Sequence, residues 1–482
     1  MSMHTAVPAD TTSVAGDGLP LTISAAGAAL RSGSLTAVQL LRTTMARADR
    51  LDAALGTYLA RTDVTALAAA ERADAELAAG HDRGPLHGIP LGIKDIIATD
   101  EAPTCAQSLV LDPAFGAQGD GPVMSRLRAA GAVVTGKTTT MEYATGCPDP
   151  EKPFPIPRNP FDLAAWPGGS SSGTGSGVAA GMFLGGLGTD TGGSVRMPAA
   201  WCGISGLKQT FGRVPKSGCV PLGFSYDHIG PMTRSAQDCA AMLQVMAGHD
   251  DSDASSVDVP VDDYVAALTG TVEGLRIGID VSAFDREQLD PATAALLRSA
   301  VDVFADLGAT VVELRLPLQD ELVTATLVSS AEALAYHRGD LQARWADYGA
   351  PTRMAIARSA LVQAADYVQA QRVRRVGVKA MAQLFSDVDV VLSPTCFTGA
   401  PAVDGLDWSA MLLLVNTPYW NAVGNPAISV PMGLTDRGLP VGLQIAGRPF
   451  DEATVLRVAD AFQQRTDHHL LESPLVLTEL SA

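Results

Sequence analysis

Residues 167–198 read PGGSSSGTGSGVAAGMFLGGLGTDTGGSVRMP. Two glycine-serine clusters, Gly168-Gly169-Ser170-Ser171-Ser172 and Gly192-Gly193-Ser194, enclose an apolar stretch that reads as a buried helix running into a strand or turn. Two glycines ahead of a serine let the backbone turn sharply and aim consecutive N–H groups at one point. Such a turn suits an oxyanion hole for acyl transfer at Ser194. Residues 163–189 carry no charge, yet their glycines and serines are the wrong composition for a membrane span. The stretch reads instead as a backbone-dense active-site region.

A serine hydroxyl is a poor nucleophile without a base. No histidine stands beside a matching acidic motif, so nothing in the sequence supports a Ser-His-Asp arrangement. Lys94 is the better base. It lies in GIPLGIKD, residues 88–95, among Ile89, Pro90, Leu91 and Ile93. Burial disfavours the ammonium form and lowers the pKa, so a neutral lysine can accept a proton near pH 7. Ser170 supplies the bridge, passing a proton between Lys94 and Ser194 and later to the leaving amine. This chemistry calls for no metal and no cofactor.

The bulk composition sets the frame. The chain has 482 residues, 47% hydrophobic and 18% charged, enough to bury a large core. A net charge of −18 argues against nucleic acid or an anionic membrane as partner, because both select clustered Lys and Arg. Six cysteines form neither a CxxC pair nor a zinc spacing, so buried free thiols are expected. Residues 1–20 lack a basic segment followed by an apolar core. No signal peptide is expected, a reducing cytoplasm is the default location, and these residues read as a loose tail.

Along the chain, Thr36 is placed to cap a helix over 37–55, and a second helix follows over 64–79. A short buried strand is expected around 89–97, then helix, strand and turn over 123–143. Residues 275–316 read strand, helix, strand, and about 320–385 is helical. Apolar strands at 387–395, 426–431 and 439–447 precede a closing helix over 453–466. Strands interleaved with helices, without repeats or a long linker, predict a single α/β layered architecture.

One motif points elsewhere. Gly131 to Thr138 matches GxxxxGK[ST], the pattern of a phosphate loop. Its intervening residues 132–135 look like the strand itself, leaving no backbone to wrap a phosphate. A P-loop nucleotide-binding protein is therefore a remote alternative, and Lys137 is a decoy.

Taken together, PGGSSSGTGSGVAAG, GTDTGGSVRMPAAWCGISGLK and GIPLGIKD resemble the core of the amidase signature family. GKTTTMEYATG, SYDHIGPMTRSAQD, DVVLSPT, GNPAISVP and GLPVGLQIAGRPFDEATVL resemble further segments of that family in the same order, over about 21–466. The resemblance implies an α/β fold, an α/β/α sandwich around one large mixed β-sheet. It implies a single domain over 21–482, with a less family-like lobe at about 250–390. Lys94 then resembles the general base, Ser170 the bridging serine on a cis peptide, and Ser194 the acyl-forming nucleophile. Thr191, Gly192 and Gly193 resemble the oxyanion-hole backbone, Ser171 and Asp190 supporting residues, and Arg196 one that packs beneath them.

The implied reaction is hydrolysis of a small-molecule carboxamide through an acyl-enzyme, releasing an acid and ammonia or an amine. Aryl amides, esters, carbamates and hydrazides fall within the same chemistry, and a homodimer is the family's expectation. The alternative is the A-type component of a tRNA-dependent amidotransferase complex. The glutamine-binding acid expected of it is not evident in PLGFSYDHIG, and the acidic chain shows no tRNA face. The chain also departs from the family. Ser-Ser-Ser-Gly-Thr-Gly replaces the usual Ser-Ser-Gly-Gly-Ser, Thr139 stands where Asn is common, and Thr140-Met141 replace Met-Asp. That second loop often borders the substrate, so a divergent specificity is expected. Met141, Phe224, Tyr226, Tyr419 and Trp420 are the pocket candidates, favouring an amide with an apolar group.

Overall fold

The computed structural model of the protein describes residues 14–115 and 119–481. Its strands are β1 (Tyr58–Arg61), β2 (Pro90–Lys94), β3 (Val133–Thr138), β4 (Gly185–Asp190), β5 (Ser205–Lys208) and β6 (His228–Thr233). They continue with β7 (Arg276–Asp280), β8 (Thr310–Leu314), β9 (Val390–Pro394), β10 (Ala427–Leu434) and β11 (Pro440–Gly447). All join one 11-stranded sheet in the order β1-β3-β2-β4-β6-β5-β10-β11-β9-β7-β8. β2 runs parallel between β3 and β4, and β7 parallel between β8 and β9. The other pairings are antiparallel, so the sheet is mixed.

Helices cover both faces, as alternation along β5 shows. A Cβ on Gly206 would come within 2.7 Å of Ala199 in helix Arg196–Cys202. The next residue, Leu207, points the other way into a core shared with Leu243 and Leu456 of helices Ala236–Met246 and Glu452–Gln463. Double coverage explains why β2, β3 and β4 are buried along their whole length rather than alternating. The α/β/α sandwich expected from the sequence is the observed fold.

Local signals behave as their chemistry demands. Thr36 caps helix Ala37–Leu55 in a reciprocal box with Gln39. The glycines of the 167–198 stretch let helix Ser172–Ala179 approach β2 closely. The Phe183 ring lies between them: a Cβ on Gly92 would sit 2.5 Å from it, and one on Gly177 2.2 Å. Gly177→Ala is therefore expected to overpack this contact and lower stability by ~1–3 kcal/mol, read as a lower midpoint of urea unfolding.

Three expectations need adjustment or placement. Residues 1–13 of the expected loose tail lie outside the described residues. From there on the chain is fastened: Leu19 is buried, and Arg47 donates to Asp17 at 2.7 Å. The segment 250–390 does not stand apart as a lobe, because β7 and β8 extend the common sheet through β9. Lys137 lies inside β3, where its Nζ donates to Thr104 Oγ1 at 2.6 Å. Residues 133–138 are strand, which removes the phosphate-loop reading.

Candidate functional site

β2 and β4 are parallel neighbours, and their carboxyl ends deliver Lys94 and Asp190 to the same edge of the sheet. Ligands of α/β folds commonly bind at such an edge, where strand ends and the loops beyond them converge. Lys94 is fully buried. Its Nζ donates to Ser170 Oγ at 2.7 Å and to Thr189 Oγ1 at 2.7 Å. Burial lowers the Lys94 ammonium to about 7, against the opposing pull of Cys219, Asp190 and Asp227. The Gly169–Ser170 peptide is cis.

Ser170 is braced by the loop after β3. Thr140 Oγ1 donates to the Ser170 carbonyl at 2.8 Å, and Met141 N–H reaches the same oxygen at 3.2 Å. Thr139 turns the opposite way, donating to Gly56 O at 2.8 Å. Thr140 and Met141 therefore hold the serine loop from behind. The same loop meets the cavity only further on, at Ala144 and Thr145.

Ser171 links the two clusters. Its N–H donates to the Ser194 carbonyl at 3.2 Å, and its Oγ accepts the Thr189 N–H at 3.2 Å. Ser194 itself is half-buried and lines a cavity of about 360 Å³ together with Thr191 and Gly192. Among the described residues its hydroxyl has no hydrogen-bond partner.

The glycine turn hangs from Asp190. Its carboxylate accepts the Gly193 N–H at 2.8 Å and the Val195 N–H at 3.3 Å. Arg196 binds the same carboxylate with Nε at 3.0 Å and Nη2 at 2.9 Å. Burial alone would raise the Asp190 carboxyl, but the Arg196 guanidinium and these hydrogen bonds hold it well below the usual carboxylate range. Arg196 is saturated in turn by Thr417 O, Gln444 Oε1 and Asn421 Oδ1.

The Gly193 N–H, expected in the oxyanion hole, is thus already engaged by Asp190. The N–H groups of Thr191, Gly192 and Ser194 have no protein acceptor among the described residues and are the ones left to bind an anion. Gly193 adopts φ +127°, and a Cβ there would collide with Thr417 Oγ1 at 2.0 Å, so only glycine fits. Asp227 fastens the turn from the other side, accepting from Thr191 Oγ1 at 2.6 Å and from the Leu222 N–H at 3.0 Å.

The cavity walls come from widely separated parts of the chain. They include Met197, Leu222, Tyr226, Leu327, Ala355, Arg358, Trp408 and Leu412. Of the aromatic and apolar candidates read from sequence, Tyr226 alone is among them. Met141 packs in a core cluster with Trp166, and Tyr419 and Trp420 pack in another with Phe385. Phe224 is 59% exposed and faces solvent. Amphipathic aromatics satisfy a core as well as a pocket, and a single sequence does not separate the two. Reasoning from sequence also passed over Thr189 and Asp227. Thr189 carried a usable signal, two positions before Thr191 at the end of a strand and hence on the same face. Arg358, Trp408 and Leu412 carried none, being brought to the site by packing alone.

Among the described residues no helix is long and apolar enough to cross a membrane, and no group of His, Cys, Asp and Glu could hold a metal ion. A second, polar depression around His87, Arg83 and Arg128 lies elsewhere; Arg83 and Arg128 are already paired with Glu76, Glu101 and Asp120.

The chain and its fold have close counterparts. The chain is 42% identical to the A-type component of the glutamyl-tRNA(Gln) amidotransferase of Chloroflexus aggregans, covering 93% of this chain and 97% of that one. It superposes with a TM-score of 0.85 and 31% identity on a chain of a vestigial complex that reveals the evolutionary origins of an s-triazine catabolic enzyme, covering 92% and 98% of the two. It superposes with a TM-score of 0.80 and 30% identity on the peptide amidase PAM in complex with the competitive inhibitor chymostatin, covering 92% and 97%. The Amidase family model matches residues 39–456, a span that holds all eleven strands and both serine clusters, and the chain belongs to the amidase signature family.

Proposed function

We propose that the protein hydrolyses carboxamides through an acyl-enzyme on Ser194. The observation that carries this reading is the buried Lys94 Nζ, 2.7 Å from Ser170 Oγ and lowered to about 7, in a serine loop whose Ser171 N–H bonds the carbonyl of the cavity-lining Ser194 at 3.2 Å. Ser194 Oγ attacks the amide carbonyl as its proton passes to Ser170, whose own proton passes to neutral Lys94. The oxyanion is met by the backbone N–H groups of Thr191, Gly192 and Ser194. Lys94 then returns the proton through Ser170 to the leaving nitrogen, and the C–N bond breaks. Water attacks the acyl-enzyme by the same proton route and releases the acid. Ser171 and Asp190 position the two loops, and Arg196 anchors Asp190. The mechanism is complete without a metal or cofactor.

Ser194→Ala is expected to lower turnover of a cleaved amide by about 10⁴-fold or more. It should also abolish the covalent adduct that a fluorophosphonate leaves on the native protein, read by intact-protein mass. Full turnover by Ser194→Ala would overturn the reading. A panel of anilides, aliphatic amides, carbamates and glutamine locates the substrate.

A second reading is the A-type component of an amidotransferase complex, and the 42% identity to the Chloroflexus protein favours it. The same serine chemistry would then act on glutamine, with protein partners. Glutaminase activity that appears only when the other components of an amidotransferase are added would select this reading. Amide hydrolysis by the chain alone, with glutamine refused, would select the first.

A further inference from the structure

The cavity at Ser194 has a charge as well as a shape. Its lining is largely apolar, contributed by Met197, Leu222, Tyr226, Leu327, Trp408 and Leu412. Among the described residues, Arg358 is the single charged side chain in it, and no Asp or Glu lines it. Arg358 is solvent-exposed and so marks the open end, whereas Ser194 is half-buried. It opens the short turn Arg358–Leu361 and donates from Nη1 to Ser409 Oγ at 3.3 Å. Some arginines of this acidic chain are matched by carboxylates, Arg47, Arg61, Arg83, Arg128 and Arg196 among them, whereas others, such as Arg126 and Arg374, bond only backbone or neutral side chains among the described residues. Arg358 has no carboxylate partner among the described residues, and its remaining donors are free for a ligand.

We infer that the preferred substrate is an amide carrying a remote carboxylate across an apolar spacer, with Arg358 binding that carboxylate. The inference rests on the amidase reading of Ser194 and names its substrate class. A guanidinium fork matches a carboxylate with two parallel hydrogen bonds, and the apolar walls suit a methylene chain or aryl ring between the two ends. The absence of a lining carboxylate selects against a compensating ammonium, which would be desolvated there without a partner. Half-amides of dicarboxylic acids fit this description. A free amino acid amide or glutamine fits only its anionic half. The chain's overall negative charge does not oppose such binding at contact range, because salt screens it beyond roughly 8 Å.

The test compares kcat/KM for monoamides of the dicarboxylic acids from succinic to sebacic with the uncharged alkyl amides and the ω-amino amides of equal length. The native protein is expected to prefer the best half-amide over its neutral match by about tenfold or more, mainly through KM. The ratio should fall towards one in Arg358→Gln, recover partly in Arg358→Lys, and turn towards the ω-amino amide in Arg358→Glu. Because each variant is judged by a ratio between substrates, a general loss of folding does not imitate the result. Equal use of charged and neutral amides by the native protein, or a preference that survives Arg358→Gln, overturns the inference. If the native protein cleaves no amide, the amidase reading falls separately. Calorimetric binding of the same half-amides to Ser194→Ala then decides about Arg358: tighter binding than the neutral match, lost in Ser194→Ala with Arg358→Gln, supports it, and equal binding overturns it.

Discussion

Lys94→Met is expected to produce a protein that is nearly inactive and more stable than the native chain at pH 7. Methionine fills a similar volume but accepts no proton from Ser170. General-base loss of this kind costs about 10²–10⁴-fold, and the relay through Ser170 places this case at the upper end. The native kcat/KM should rise with pH through a midpoint near 7, the value to which burial lowers Lys94, because the neutral amine is the active form. A loss below tenfold, or a rising limb far from pH 7, would point to another base.

The stability half of this expectation follows from the same group. An unfolded lysine keeps its ordinary value of 10.5, whereas the folded Lys94 is lowered to about 7. The unfolded state therefore binds more protons between these values, and native stability rises with pH across that window. Below pH 7 the native chain bears the full cost of the buried amine, of the order of a few kcal/mol. Above 10.5 the cost vanishes. Methionine removes it but strands the hydroxyls of Ser170 and Thr189, at ~1 kcal/mol each. The net gain at pH 6–7 should be ~1–2 kcal/mol, shrinking as pH rises towards 10. Denaturant midpoints of the two proteins across this range measure it; a native chain more stable than Lys94→Met at pH 6 would contradict the assignment. A more stable Lys94→Met would make the site an instance of stability given up for a reactive group.

The second large effect concerns Arg196. It is fully buried against Asp190 at 2.9 Å, with no solvent at either side chain. Arg196→Ala leaves the buried Asp190 carboxylate charged without its paired guanidinium, held by the Gly193 and Val195 N–H groups and Asn421 Nδ2, and breaking one partner of such a pair costs ~3–5 kcal/mol. It also releases the donors to Thr417 O and Gln444 Oε1. The expected result is a marked fall in denaturant midpoint together with loss of activity, because the Asp190 carboxylate holds the Gly193 and Val195 N–H groups. Adding Asp190→Asn should restore part of the stability by removing the stranded charge. Activity should stay low, since the amide accepts fewer of those bonds. Equal stability of Arg196→Ala and the double variant would mean that the stranded Asp190 charge carries no cost at this site.

Much of the site was legible in the sequence because its parts are local. The glycines at 192 and 193, the serines at 170 and 194 and the apolar window around Lys94 each follow from what one turn or one buried strand requires. The α/β layering was legible from alternating strands and helices, and the resemblance to a family supplied the mixed sheet. Gly193 shows where local reasoning stopped: its N–H points at Asp190, three residues earlier, rather than into the cavity. The N-terminal segment shows the same limit, since Asp17 and Leu19 look like tail residues until Arg47 and the core meet them.

The proposed catalytic residues were therefore legible in the primary structure, and the cavity walls were not. Lys94, Ser170 and Ser194 announce themselves through the glycines and apolar neighbours beside them in the chain, because strained turns and buried strands impose short-range rules on residue type. The cavity walls obey no such rule. Leu222, Leu327, Arg358 and Trp408 are ordinary residues of loops and helices far apart in the chain. They meet only because helices such as Gln319–Val328 pack against helices Ala364–Leu384 and Pro418–Val423, a long-range outcome of burying apolar surface that no local spacing encodes.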